Sequence, residues 1–199
     1  ALQQYLEGTV PAFEVEHRLR NSRGEWTWVR SVGRAVRRDA QGRASTIAGI
    51  DVDISQQKEQ EAQLAYVSSH DELTGLPNRK AFAHRLAEAM QQSRRTGQCL
   101  AVAYIDLDGL AKFNERHGRL CGDQLIGELA ARMVASCGAG EAARVGGDEF
   151  TCILHARTPG ADLEAQLAQL MTDIARPVVI DGEVFSAPAS IGAAVLPQH

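Results

Sequence analysis

The chain has 199 residues, 44% of them apolar, and a net charge of −4. That is enough apolar material for a packed core in one large or two small domains, and the slightly acidic balance excludes a bulk field that would draw the molecule to nucleic acid or an anionic membrane. No apolar run approaches the ~20 residues a membrane span needs, and the opening ALQQYLEGTVPAFEVEHRLR lacks the charged-then-apolar order of a signal peptide.

That opening reads as the middle of a domain. Phe13–Arg20 alternates apolar and polar residues, as does Trp26–Val36, and residues 44–55 (ASTIAGIDVDIS) form a third such run. Turn chemistry at Gly24 and Gly42 separates them, so residues 1–53 are expected to form an antiparallel meander. Eight arginines between Arg18 and Arg43 fit a solvated outer sheet face better than a phosphate-binding patch. Trp26 and Trp28 read as sheet packing.

Residues 54–70 hold no Gly or Pro and predict a helix with sparse apolar positions, Ile54, Leu64 and Val67. Both a dimer-pairing connector and a solvated linker fit it. Gly75 and Pro77 then break the helix, and Asn78 is placed to cap the next, which repeats Phe82, Leu86 and Met90 at i, i+4. CLAVAYIDLD, residues 99–108, is nearly continuous apolar sequence ending in carboxylates, the pattern of a buried central strand. A helix is expected through Asn114, and another from near Gly122 carrying Leu125, Leu129 and Met133. RVGGDEFTCILHA reads as strand, Gly-Gly turn, strand. ADLEAQLAQLMTDIA reads as amphipathic helix, and EVFSAPASIGAAVL as one last strand. The segment 71–199 is therefore expected to be an α+β domain with a mostly antiparallel central sheet flanked by helices. Cys99, Cys121, Cys137 and Cys152 show no CxxC spacing and the six histidines do not cluster. Reduced, apolar cysteines in a cytoplasmic chain are expected.

The chemistry concentrates at two places. Strand periodicity puts Asp106 and Asp108 on one side of the central strand end, where unpaired carboxylates are costly unless a cation joins them. The GGDE turn adds Asp148 and Glu149. If the hairpin lies beside the central strand, Asp106 and Asp148 meet, an oxygen set suited to Mg²⁺. Gly146 and Gly147 allow close backbone approach to a ligand and positive φ. Free N–H groups at Gly109 and Leu110, at a helix start, suit phosphate oxygens. Asn114 and Asp123 suit guanine, whose adjacent N–H donors a carboxylate accepts. An ordinary hairpin with solvated acids, and Asn and Asp as helix caps, are the competing readings.

DELTGLPNR, YIDLDGLAKFNERHGRLCGDQLI and RVGGDEF occur in order and together resemble the GGDEF family of diguanylate cyclases from about Ser68 onward. Residues 14–64, with DIS at 53–55 closing the fold before a linker helix, resemble the C-terminal half of a PAS sensor domain. The resemblance implies a partial PAS domain over 1–53, a signalling linker helix over 54–70, and a GGDEF domain with a nucleotidyl-cyclase-like palm over 71–199. It also implies that two such domains form a homodimer, each holding GTP and divalent cations (Mg²⁺ or Mn²⁺), and condense the two GTP to cyclic di-GMP with release of two pyrophosphates. By motif, Asp106, Asp148 and the Leu107 carbonyl correspond to metal ligands. Gly109 and Leu110 correspond to phosphate contacts, Asn114 and Asp123 to guanine contacts, and Gly146 and Gly147 to the turn under the nucleotide. Glu149 corresponds to the residue assisting 3′-hydroxyl deprotonation.

The chain departs from the family pattern at four places. Ala111 stands where a phosphate-contacting lysine is usual. Lys112 is adjacent, but one residue turns a helix by about 100°. Gly118-Arg119 replaces Gly-His. The stretch CGAG, Cys137–Gly140, replaces the inhibitory RxxD. Cyclic di-GMP is therefore expected not to bind at that site, which calorimetry tests directly; micromolar affinity there would refute the expectation. Lastly, family members continue past the position of SIGAAVLPQH into a helix that contacts the terminal phosphates and covers the sheet. The notable alternative to a cyclase is a GTP-binding, catalytically weak or inactive regulatory GGDEF module, beside a phosphodiesterase domain outside this chain.

Overall fold

The computed structural model describes residues 13–138, 140–156 and 160–196. Residues 1–12, which carry the opening discussed above, lie outside the described residues, as do Ala139 of the CGAG stretch and residues 197–199. The chain divides into two compact units, residues 1–66 and 67–199.

In the first unit β1 (Phe13–Arg20), β2 (Trp26–Arg38) and β3 (Ala44–Asp53) form an antiparallel sheet in that order. The register sets Arg18 opposite Trp28 and Arg20 opposite Trp26. The two indoles are exposed, and cations cover them: the Arg18 guanidinium lies 5.7 Å from both rings, Arg20 lies 5.8 Å from Trp26, and Lys58 lies 5.7 Å from Trp28. Arg30 meets Glu14 and Glu16, and Arg43 meets Asp39. These arginines are thus occupied within their own sheet. After β3 the Asp53 carboxylate accepts from the Ser55 amide at 2.8 Å, and α1 (Ser55–Ser69) begins. It buries no residue, and Leu64 and Val67 stay exposed, which matches their sparse spacing.

The second unit is built on an antiparallel sheet of order β5-β6-β4-β9: β4 (Cys99–Leu107), β5 (Ala142–Arg144), β6 (Glu149–Ala156) and β9 (Ala189–Leu196). Strand period two sorts β4 into two cores. Cys99, Ala101, Ala103, Ile105 and Leu107 join Leu125, Leu129 and Met133 of α4 (Arg119–Cys137) and Leu163, Leu170 and Ile174 of α5 (Ala161–Ala175). Leu100 joins Ile153 and Phe82 of α2 (Arg79–Thr96), with Val102, Leu86 and Met90 against them. Asn78 caps α2, its side chain accepting from the Lys80 and Ala81 amides at 3.0 and 3.1 Å.

Three local expectations need correction. β4 ends at Leu107, so Asp108 lies beyond it; its amide donates to Pro188 and its carboxylate accepts from Ser190. α4 begins at Arg119 rather than near Gly122, because Gly118, at φ 86°, ends α3 (Leu110–His117) and starts α4 at once. Asp123 is therefore inside the helix and caps nothing. EVFSAPASIGAAVL is not one strand. Asp181 and Gly182, both at positive φ, close a hairpin of β7 (Val178–Ile180) and β8 (Glu183–Phe185), and Pro188 precedes β9.

Candidate functional site

The end of β4 and the turn between β5 and β6 are stitched together. Asp106 stands opposite Glu149 in the β4–β6 register, and the Leu107 amide donates to the Asp148 carbonyl at 3.0 Å. The turn closes through the Val145 and Gly146 amides, which donate to the Glu149 carbonyl at 2.9 and 3.2 Å. Neither Gly146 nor Gly147 adopts positive φ. A Cβ at 146 would fall on the Glu149 carboxylate, which folds back over the turn, so a side chain there would displace that carboxylate.

Residues far away in sequence hold this turn. Asp71 accepts from the Thr74 amide and hydroxyl at 2.9 and 2.7 Å and from Arg144 at 3.0 Å. Arg144 also donates to the Gly147 carbonyl at 2.6 Å, and its amide donates to Pro77 at 3.0 Å. Arg79 donates twice to the Val145 carbonyl, at 2.8 and 3.0 Å, and reaches Glu149 at 3.2 Å. The DELTGLPNR segment is thus a brace for the turn. Sequence reasoning did not single out Asp71, Arg79 or Arg144, because nothing in a local pattern marks partners 66 to 73 residues apart.

The electrostatics follow from this convergence. Asp106 titrates above the ordinary carboxylate value, through burial first and then repulsion from Asp148, Asp108 and Glu149. Tyr104 shares that face of β4 and titrates above its usual value, chiefly because its hydroxyl is hydrogen-bonded to Glu149. Among the described residues Asp106 and Asp148 have no hydrogen-bond or ion-pair partner for their side chains, and no three His, Cys, Asp or Glu side chains gather as a complete metal shell. Two unpartnered carboxylates close enough to repel each other nevertheless fit Mg²⁺, which usually completes its shell with water and phosphate oxygens.

A cleft of about 380 Å³ opens beside the turn, lined by Ala111, Asn114, Arg119, Asp123, Gly147 and Asp148, with Leu110 at its edge. Its size suits a small ligand. Asn114 Oδ1 is buried there without a hydrogen-bond partner. A side chain at Gly122 would occupy its place, so the glycine lets α3 and α4 close around the amide. Gly109, at φ 78°, and Lys112 line a neighbouring cleft with Asp108, so Lys112 does not enter the cleft beside Ala111. Gly146 faces a third cleft with Arg79 and Lys80. The structure therefore brings together Leu110, Asn114, Asp123, Gly147 and Asp148, sets Asp106 and Leu107 at their edge, and turns Glu149 toward Arg79.

Comparison with known proteins places this arrangement. A family profile described as "Diguanylate cyclase, GGDEF domain" matches residues 68–199, and one described as "PAS fold" matches residues 1–51. The bifunctional diguanylate cyclase/cyclic di-GMP phosphodiesterase MucR of Pseudomonas aeruginosa is 39% identical over 136 residues, 68% of this chain and 20% of MucR. The diguanylate cyclase TpbB of the same species is 33% identical over 144 residues, 71% of this chain and 33% of TpbB. The crystal structure of a sensory box/GGDEF family protein from Caulobacter crescentus matches with a TM-score of 0.60 at 40% identity, over 65% of this chain and 84% of that one. The chain spans only about a fifth to a third of the length of these curated relatives. With the profile covering the unit that holds both the carboxylate cluster and the cleft, the chain belongs to the GGDEF family of diguanylate cyclases and carries a PAS-fold segment before that domain.

Proposed function

We propose that this chain is a sensor-coupled diguanylate cyclase module that works as a homodimer. The observation that carries the reading is the meeting of the Asp106 strand end with the Asp148–Glu149 turn beside a cleft holding Asn114 and Asp123. In this reading Asn114 and Asp123 take the guanine, and the Gly109 and Leu110 amides take phosphate oxygens. Asp106, Asp148 and the Leu107 carbonyl hold Mg²⁺ or Mn²⁺, which when bound neutralises phosphate charge and helps position the reacting groups. Glu149 accepts the proton of the ribose 3′-hydroxyl. The freed oxygen attacks the α-phosphorus of the GTP in the facing domain, and the bond to pyrophosphate breaks; two such steps give cyclic di-GMP. Arg79 holds the Glu149 carboxylate in place beforehand. Among the described residues no helix is long and apolar enough to cross a membrane, and the reaction is assigned to the cytoplasm, where GTP is available.

The test is chromatographic detection of cyclic di-GMP after incubation with GTP and Mg²⁺ over a range of protein concentrations. Product whose rate per chain rises with concentration supports the dimer reaction. Bound GTP without product supports a second reading, a regulatory GTP-binding module, which Ala111 favours, since the usual lysine is absent and Lys112 faces another cleft.

Asp123→Ala is expected to cost selectivity for guanine over adenine nucleotides. A lost hydrogen bond between a charged group and the base is worth about 1.5–3 kcal/mol, or roughly 10- to 150-fold in relative affinity. Competition binding of GTP and ATP analogues to the variant measures this.

A further inference from the structure

We infer that Arg119 determines base specificity in the nucleotide cleft, its guanidinium donating to the O6/N7 edge of guanine. The inference rests on the guanine reading of Asn114 and Asp123 and goes beyond it, because the Asp123 carboxylate, an acceptor only, has nothing to donate to that edge.

Two cations line the cleft, Arg144 and Arg119. Arg144 is committed, bonded to Asp71 and to the Gly147 carbonyl. Arg119 is exposed and, among the described residues, its side chain takes part in no hydrogen bond or ion pair. It is the first residue of α4 and sits one turn before Asp123 on the same face, at the i, i+4 spacing that lets two side chains reach one place. Here the two side chains stay apart and face one cleft. Opposite them lies Asn114 with its unpartnered, buried Oδ1.

The three side chains form a pattern. Asp123 offers only acceptors, the Asn114 amide offers both kinds of group, and Arg119 offers only donors. Guanine presents N–H donors at N1 and N2, with acceptors at O6 and N7 on the adjoining edge. A carboxylate and an arginine fork whose Cβ atoms lie about 5–6 Å apart on one helix face can present acceptors and donors in that order. Adenine offers an amine where guanine has O6, so the same fork would meet a donor; an arginine fork on guanine O6 and N7 is also the commonest base-specific contact made by proteins. Arg119 lines the cleft that holds Asn114 and Asp123, whereas Gly109, one of the two proposed phosphate contacts, opens onto the neighbouring one.

The experiment titrates GDP, 7-deaza-GDP and ADP, none of which can condense, into the full chain and into Arg119→Ala and Arg119→Lys, with Mg²⁺ present. Thermal melting by circular dichroism establishes that the variants fold. The unmutated chain should bind GDP about tenfold more tightly than 7-deaza-GDP, which lacks the N7 acceptor. Arg119→Ala should bring GDP down to the 7-deaza level and leave ADP unchanged. Arg119→Lys should keep part of the affinity and lose most of the discrimination, since an ammonium lacks the planar fork. Equal binding of GDP and 7-deaza-GDP by the unmutated chain, with ADP still weak, overturns the role of Arg119 and leaves the guanine reading standing. Equal loss of GDP and ADP in Arg119→Ala also overturns it and makes the residue a phosphate contact. If the unmutated chain binds GDP no better than ADP, the guanine reading itself fails and the inference falls with it.

Discussion

Asp148→Ala should abolish cyclic di-GMP formation and weaken the metal-dependent part of GTP binding while leaving the fold intact. The reason lies in which atoms of Asp148 do what. Its main-chain carbonyl, which accepts from the Leu107 amide and ties the turn to β4, survives the substitution. Its carboxylate has no protein partner among the described residues, so removing it leaves no donor stranded and no ion pair broken. It also relieves part of the repulsion that raises Asp106, so the free protein should be no less stable. What is lost is half of the carboxylate pair proposed to hold the cation. Removing a single preorganised electrostatic group from an active site typically costs about 10²–10³-fold in turnover, and loss of a direct metal ligand should cost at least that. Turnover by chromatography, GTP binding with and without Mg²⁺, and a melting curve separate the two effects. A variant retaining more than about a tenth of the rate would remove Asp148 from the chemistry, and a variant that melts early would show a structural role instead.

The parts of this fold that were legible were those dictated by local periodicity. The run 99–107 could be assigned to a central strand because one face is apolar from Cys99 to Leu107 and the other begins with Leu100 and Val102, and each has a core to enter. Asn78 could be assigned as a cap because a side-chain acceptor ahead of a helix has few other uses. The errors came where two signals compete. Gly122-Asp123 looks like a helix start, but the break is made four residues earlier by Gly118 at positive φ, so Asp123 becomes a cleft residue. Asp181-Gly182 is a strong turn dipeptide, yet strands of three residues on either side leave no alternation to read. At the candidate site, the convergence of Asp106 and Asp148 at the strand end was legible. Their support was not, because the brace from Asp71 and Arg79 to the turn is purely tertiary. Glycine at 146 was expected to allow both close approach to a ligand and positive φ; its φ is not positive, and a Cβ there would meet the Glu149 carboxylate.

That brace leads to the largest expected effect on stability. Arg144 is nearly buried and Asp71 three-quarters so, at 11% and 25% side-chain exposure, and the two meet at 3.0 Å. Burial alone would raise the Asp71 carboxyl, but hydrogen bonds from the Thr74 hydroxyl, Arg144 and the Thr74 amide outweigh it, and the group titrates below its ordinary 3.8. A carboxyl depressed in the folded state stabilises the protein at every pH above its unfolded value, and the contribution fades as pH falls through the folded value. The stabilisation is thus complete at neutral pH and is lost in acid below about pH 4. Arg144→Ala removes the opposite charge and the donor to Gly147 while leaving the largely buried Asp71 without its cation; a cost of about 2–3 kcal/mol at pH 7 is expected. The turn bearing Gly147 and Asp148 would lose its tether as well, so turnover should fall together with stability. In the double-mutant cycle with Asp71→Asn, coupling between the two positions should be present at pH 7 and should shrink at a pH low enough to protonate Asp71. Both tryptophans, Trp26 and Trp28, belong to the first unit. Unfolding of the second unit must therefore be followed by circular dichroism or hydrogen exchange rather than by indole fluorescence. A coupling of the same size at both pH values would mean that the pair acts through packing and not through charge.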